Sequence, residues 1–255
     1  MCGLVGRYKG ARTPVSILGA VKAAARSLLR RLGVEAIAYA PRNFLELRRP
    51  LLLDEERIDL VLDVGAGDGG WAHGLRERGY AGRIVSFEPL PESFAALDSR
   101  RDGTWEAHQV ALGAEPGRRE LQVSANRVSS SLLPMAELHL RTAPESAVTG
   151  AVEVEVARLD DLDVVRPGER AYLKIDVQGT ELDVLHGATA TLASVRLLEA
   201  ELSTVTLYEG QPLIGEVIQH VQREGFDLIG LERAFRDRET GDVLQVNGLF
   251  RRGRS

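Results

Sequence analysis

The chain of 255 residues contains one cysteine, Cys2. An intrachain disulfide and a cysteine-built zinc cluster are thereby excluded, and a reducing, cytoplasmic setting is the expectation. No run of about 18 or more apolar residues occurs, so no membrane span is expected. The opening segment carries Arg7, Lys9 and Arg12 with no apolar stretch behind them, which does not read as a secretory signal. The histidines are scattered and show no metal-binding spacing. What is present, 44% hydrophobic and 27% charged residues, suffices for one sizeable core.

Acid and base are unevenly shared. Residues 1–50 hold ten basic residues against Glu35 and Glu46, a charge of +8, so with a whole-chain charge of -5 the remainder carries -13. The sequence divides accordingly into a basic helical extension, 1–50, and a folded domain, 51–255. An acidic domain disfavours nucleic acid as a substrate, because phosphates need a basic surface over the site. Small molecules and sugars fit better. Within the extension, Thr13-Pro14 reads as a helix start, followed at helical spacing by Ile17, Leu18, Val21, Ala24, Ala25, Leu28, Leu29 and Leu32. Lys22, Arg26 and Arg30 run beside that apolar face. Such a helix either covers a core or a homodimer contact, or it adsorbs to an anionic membrane where a glycolipid acceptor would sit.

From Ile58 onward short apolar runs alternate with helical segments, the pattern of a doubly wound α/β fold with a parallel sheet covered on both faces. Strands are predicted near 59–64, 83–87, 105–112, 171–176, 196–202, 226–232 and 243–250. Helices are predicted near 69–79, 91–100, 180–193 and 213–224. Residues 113–170, between the third and fourth of these strands, form an insertion far longer than the usual connection of about 2 to 6 residues. In it Arg119 to Val123 and Val152 to Val156 alternate like strands, while Ser124 to Ser131 reads as a loop.

The first strand, Leu60 to Val64, runs into Asp63-Val64-Gly65-Ala66-Gly67-Asp68-Gly69-Gly70, whose glycines let backbone turn tightly and approach a ligand. Glu88 ends the second strand, where a carboxylate accepts hydrogen bonds from ribose hydroxyls. Strand, loop, helix, strand and terminal acid in that order form a nucleoside-binding arrangement. The loop also satisfies Gly65-x-Gly67-x-x-Gly70, so an NAD-dependent oxidoreductase is a rival. Asp63 at the strand end favours S-adenosylmethionine, which has no pyrophosphate to seat. A protein that keeps the fold without catalysis is the third reading.

Further on, Tyr172-Leu173-Lys174-Ile175-Asp176-Val177-Gln178-Gly179 is a strand entering a turn, with Lys174 and Asp176 on one face; Glu199 and Glu201 share a face of the next strand. Ligands of doubly wound sheets sit beyond the carboxyl ends of the strands, so Asp176 and Glu201 are expected near the cofactor. Methyl transfer to a hydroxyl requires that the oxygen lose its proton. Asp176 is the candidate general base; Asp176 with Glu201, and with less support Glu181, is the candidate site for Mg2+. The bland alternative pairs Asp176 with Lys174 and uses Glu181 as a helix cap. His139, in the insertion, is a second candidate base.

Asp63 to Trp71, Val85-Ser86-Phe87-Glu88-Pro89, Val110-Ala111-Leu112-Gly113, Ser129-Ser130-Ser131-Leu132 and Lys174 to Glu181 together resemble the FkbM family of methyltransferases over about residues 58–202. The Lys-Ile-Asp-Val-Gln-Gly-x-Glu run and the Phe-Glu-Pro segment are its most specific parts. Gly67 departs from the Asn that many members carry. The resemblance implies a Rossmann-like class I methyltransferase sheet and S-adenosylmethionine-dependent O-methylation of hydroxyls on sugars or secondary metabolites. It implies that Asp63, Gly65, Ala66, Gly67, Glu88 and Pro89 meet the cofactor, that Val110 and Ala111 lie near adenine, and that Asp176 stands between cofactor and acceptor.

Overall fold

Strand β1 (Leu60–Val64) is buried at all five positions, as a continuous apolar run in a central parallel strand must be. The computed structural model describes residues 17–34 and 44–253. In it β1 lies inside a seven-stranded sheet, parallel to β2 (Arg83–Phe87) on one side and β7 (Ala171–Ile175) on the other. With β3 (Trp105–His108), β8 (Val195–Ser203), β9 (Phe226–Arg236) and β10 (Val243–Arg252), the order is β3-β2-β1-β7-β8-β10-β9. Strand order therefore reverses between β1 and β7, and the crevice beyond their carboxyl ends is where such a sheet binds ligands. The expected parallel arrangement holds from β3 to β8. It fails at β10, which runs antiparallel to both neighbours, because β9 and β10 are joined as a hairpin and a hairpin cannot be parallel.

Side chains alternate across each strand, so the two faces of the sheet have different chemistry. Leu60, Leu62, Val64, Leu173, Ile175, Leu198 and Ala200 pack on one face with Val184 and Leu185 of α6 (Glu181–His186) and Val217 and Val221 of α7 (Ile214–Arg223). Val61, Tyr172 and Leu197 pack on the other, under α2 (Leu45–Glu55) and α3 (Gly70–Glu77). Continuing toward the carboxyl ends, this second face turns polar: Asp63, Lys174 and Glu199 are adjacent in register. Glu199 is sealed beneath α2, where Arg49 donates to both its oxygens at 2.9 and 2.8 Å and the Tyr172 hydroxyl bonds to it as well.

The third predicted strand, 105–112, is two strands. After His108 the chain leaves the main sheet, and β4 (Ala111–Leu112) pairs in parallel with β6 (Val148–Ala157) of the insertion. That strand pairs antiparallel with β5 (Gly117–Ser124), completing a three-stranded sheet. The insertion thus docks its own sheet on the end of the third strand, burying Leu121, Val154 and Val156 against Leu90 and Ala111. The predicted helix 180–193 is also shorter: α6 ends at His186, and a 3-10 turn covers Thr191–Ser194. Helix α4 (Pro91–Asp98) agrees with its predicted span at its start.

The chain divides into two compact units, Met1–Pro41 and Arg42–Ser255. Helix α2 belongs to the larger one, so the boundary drawn at residue 50 falls inside a helix whose Leu45, Arg49, Leu52 and Leu53 are buried. In the smaller unit α1 spans Ile17–Arg31; the Thr13-Pro14 start lies outside the described residues. No helix among the described residues is long and apolar enough to cross a membrane.

Because Arg49 and Glu199 are both nearly inaccessible to water, removing one leaves the other uncompensated. Arg49→Met is expected to lower unfolding free energy by about 3–5 kcal/mol. Urea titration checks this, and the double variant Arg49→Met/Glu199→Met should recover most of the loss.

Candidate active site

Beyond the carboxyl ends of β1, β2 and β7 lies a cavity of about 570 Å³, within the range of about 300–1,000 Å³ of small-molecule sites. Three segments supply its cofactor side: Gly65 to Gly67 after β1, Glu88 to Leu90 after β2, and Val110 to Leu112. The rest of the lining includes Asn126 to Val128, Ser130 and Leu132 of the insertion, and Lys174 and Asp176 to Gln178. Loops meet here because parallel strands all deliver their carboxyl ends to the same edge.

The glycines answer to geometry. At Gly65, φ +74°, a Cβ would lie 1.8 Å from the Asp176 carbonyl oxygen, so only glycine lets the β1 loop pass against the end of β7. At Gly67, φ +58°, a Cβ would meet nothing within 4 Å, and its amide donates to Glu88 Oε2 at 2.8 Å. Glu88 Oε1 accepts from the Leu90 amide at 2.8 Å. Burial pushes the Glu88 carboxyl up to about 7, against those two donors. Its carboxylate keeps acceptor capacity beyond the two backbone bonds. A Gly-rich turn, an acid on a cavity wall and the buried apolar Val110 and Ala111 fit a nucleoside with a small polar tail.

Of the residues expected at the cofactor, Gly65, Ala66, Gly67, Glu88, Pro89, Val110 and Ala111 line this cavity. Asp63 does not. It is fully buried under the loop, with Lys174 Nζ 3.2 Å from its Oδ1. Strand parity turns Asp63 toward the polar face of the sheet rather than outward, so its influence on the site runs through Lys174. Burial raises the Asp63 carboxyl, opposed by that ammonium. Burial also works against the Lys174 charge, yet Asp63 and Asp176 more than offset it and keep the amine protonated. Lys174 Nζ lies 3.6 Å from Asp176 Oδ2 and donates to the Gly65 carbonyl at 3.3 Å.

Asp176 reaches the cavity with its side chain about one-third exposed, 36%. The expected pairing with Glu201 for a metal is not what the structure contains. Gln178 Nε2 stands between them, donating to Asp176 Oδ1 and Glu201 Oε2 at 2.7 Å each. An amide donor fills the place a cation would need, and among the described residues no group of three or more His, Cys, Asp or Glu side chains is arranged to hold a metal. Glu201 also accepts from Gln245 Nε2 at 2.7 Å; burial and the nearby Asp176 and Glu181 raise its carboxyl well above the usual range. Glu181 accepts from the Gly179 amide at 3.0 Å and is pushed by burial to about 7, which is the capping role.

His139 is not a base at this site. It lies buried in α5 (Glu137–Thr142), its ring 5.1 Å from that of Tyr208 and 5.6 Å from that of Phe235, and it is absent from the cavity wall. Burial pulls its pKa down. Helical spacing put His139 inward against aromatic rings, which a reading of residue type alone does not foresee. Conversely, Trp71 and Arg127 line the cavity without having been predicted. Arg127 pairs with Glu92 of α4, joining insertion and core beside the cavity; no sequence signal marked it.

A family model described as the methyltransferase FkbM domain matches residues 63–228. The 2-O-methyltransferase NoeI of Sinorhizobium fredii is 29% identical over 222 residues, 81% of this chain and 87% of that protein. The hexuronic acid methyltransferase AglP of Haloferax volcanii is 27% identical over 158 residues, 60% of each chain. Among solved structures, an S-adenosylmethionine-dependent methyltransferase from Mesorhizobium loti superposes with a TM-score of 0.46 at 11% identity, covering 84% of this chain and 100% of that one.

Glu88 gives a pH test. With Glu88 expected at the ribose, whose hydroxyls donate to a carboxylate, a protonated Glu88 is expected to lose its proton on binding. Affinity for S-adenosylhomocysteine is expected to rise with pH by about tenfold per unit below the Glu88 midpoint and to level off above about 7. Calorimetry across pH 5.5–8.5 measures this (about 3 pH units), and Glu88→Gln should bind weakly with a flat profile.

Proposed function

The chain belongs to the FkbM methyltransferase family, and from that premise we propose that this S-adenosylmethionine-dependent enzyme methylates a hydroxyl of a sugar, a glycolipid or a glycosylated metabolite. The carrying observation is that the Asp176 carboxylate shares one cavity with the Gly65 to Gly67 turn and Glu88. Two relatives named for methylation at a 2-O position and of hexuronic acids support the sugar class.

S-adenosylmethionine supplies, when bound, an electrophilic methyl group on a sulfonium centre. Gly65, Ala66, Gly67 and Pro89 would hold it, Glu88 would accept from its ribose, and Val110 and Ala111 would flank the adenine. Asp176 takes the proton of the acceptor hydroxyl, whose oxygen would displace S-adenosylhomocysteine from the methyl group: the S–CH3 and O–H bonds break, the O–CH3 bond forms, and the proton ends on the carboxylate. Lys174 Nζ, 3.6 Å from Asp176 Oδ2, sets a positive charge beside that carboxylate. The Asn126 to Leu132 segment, rich in amide and hydroxyl groups, meets the acceptor, as hydrogen-bonding walls suit a polyol better than an apolar substrate.

Asp176→Asn is expected to lower kcat by about 10²–10⁴-fold while leaving S-adenosylhomocysteine affinity intact. Methyl-labelled S-adenosylmethionine offered with methyl fucoside, methyl rhamnoside, glucuronic acid and a glycolipid extract reads this out. Near-normal turnover by the Asn variant would remove Asp176 from the chemistry. Turnover of none of the sugars by the unaltered protein would remove the acceptor class.

Helix α1 suits contact with an anionic bilayer surface, a location where a glycolipid acceptor is at hand. Val21, Leu28 and Leu32 are 59%, 62% and 71% exposed, beside the exposed cations Lys22 and Arg26, and residues 17–34 contain no acid. The protein should co-sediment with phosphatidylglycerol vesicles at low salt and lose most of that binding in Lys22→Glu/Arg26→Glu. Failure to sediment, with dimers seen by light scattering, would assign the helix to a second copy instead.

A further inference from the structure

Gln178 occupies the centre of a network that nothing in the fold requires. Its backbone lies at φ +57°, the left-handed region that a side-chain-bearing residue enters at a cost. Glycine would sit there without strain, and Gly179 follows at φ +110°. Two contacts with other segments hold the strained residue. Ser131 Oγ, from the insertion, donates to the Gln178 carbonyl at 2.6 Å. Tyr208 Oη lies 2.8 Å from Gln178 Oε1 and 3.0 Å from the Ser129 carbonyl.

The amide orientation is dictated by its neighbours. Tyr208 offers a hydroxyl proton to Oε1, while Asp176 Oδ1 and Glu201 Oε2, the latter also accepting from Gln245, take hydrogens from Nε2. A reversed amide would set a carbonyl oxygen against two carboxylates. Each of the two amide hydrogens is therefore spent on one acid. Asp176 is tied at Oδ1, and its Oδ2 remains on the Lys174 side.

We propose that Gln178 is a positioning residue for methyl transfer: its side-chain amide fixes Asp176 through Oδ1, leaving Oδ2 to receive the acceptor proton. The inference rests on the reading of Asp176 as the base. It assigns the strain at Gln178 a purpose, because only a residue with a long amide side chain at this strained position spans from Tyr208 to both acids. It also gives the insertion a part in catalysis, through Ser129, Ser131 and the loop they belong to. The charged and titratable groups facing Asp176 are Lys174 on its own strand, Asp63 on β1, Glu201 on β8, Glu181 at the start of α6, and Tyr208 after β8.

The informative substitution is Gln178→Gly, because it deletes the amide and at the same time relieves the backbone. A residue present only to build the turn would be replaced by glycine with no loss. The expected result is a thermal midpoint within about 4 °C of the unaltered protein, unchanged affinity for S-adenosylhomocysteine, and kcat lower by about 10²-fold with KM nearly constant. In the Asp176→Asn background the same change should cost nothing further, since its target is gone. Should the glycine variant fail to fold, Gln178→Asn replaces it: asparagine tolerates the left-handed region but is too short to span both acids.

The acceptor is whichever sugar of the panel above the unaltered protein methylates. Retained kcat in Gln178→Gly, a loss confined to KM or cofactor affinity, or a further loss in the Asp176→Asn background each overturns the inference. So does a crystal structure of Gln178→Gly with S-adenosylhomocysteine in which Asp176 has not moved. If Asp176→Asn itself turns over normally, the base assignment falls first. If Asp176→Asn is inactive and Gln178→Gly is active, the base assignment stands and the positioning role alone is lost.

Discussion

One ammonium group with almost no access to water holds the two halves of the site together. Lys174 Nζ faces Asp63 beneath the glycine turn, Asp176 on the cavity wall and the Gly65 carbonyl. Placing a charge there is expensive unless it is matched, since burial alone would strip an amine of its proton and a carboxyl of its charge. The cation faces both acids, 3.2 Å from Asp63 and 3.6 Å from Asp176, while the buried Asp63 oxygens accept no hydrogen bond. The consequence is that the loop after β1 and the loop after β7 are fixed relative to each other by electrostatics as well as by strand pairing. Asp63, which does not line the cavity, matters because without it Lys174 would face one acid instead of two.

A second buried pair, Arg49 with Glu199, lies one strand further along the same face. The polar row thus begins under α2, where it is sealed, and reaches the cavity at Asp176, where it opens. This gradation follows from the way the sheet is covered. Helices α2 and α3 cover the middle of the strands, while beyond their ends the described residues that line the cavity come from the loops, the insertion and the edges of α3 and α4. Lys174 and Asp176 thus reach the cavity at the end of β7.

Much of this was legible in the residues. The run from Leu60 to Gly70, the acid at Glu88 and the run from Lys174 to Glu181 carried the succession of strand and turn along the chain and a good part of the cavity wall, because glycines and terminal acids are dictated by local geometry. The long insertion was recognisable by length and its two longer strands by alternation. What could not be read were facts of three-dimensional facing. His139 had the right chemistry and the wrong direction. Glu201 had the right direction and an amide interposed. Gln178 bears no mark of a left-handed backbone, since only glycine advertises one in sequence, and the third strand gave no sign that its last residues would desert one sheet for another.

Strand β1 finds one partner, β2, soon after it is made, and the other, β7, only after the whole insertion has been synthesised. Until then the Asp63 carboxylate has no counter-charge and the glycine turn has no wall to lean on. The Gly65 turn gains its β7 neighbour only once Lys174 and Asp176 have been made, so the cavity walls contributed by β1 and β7 are completed together.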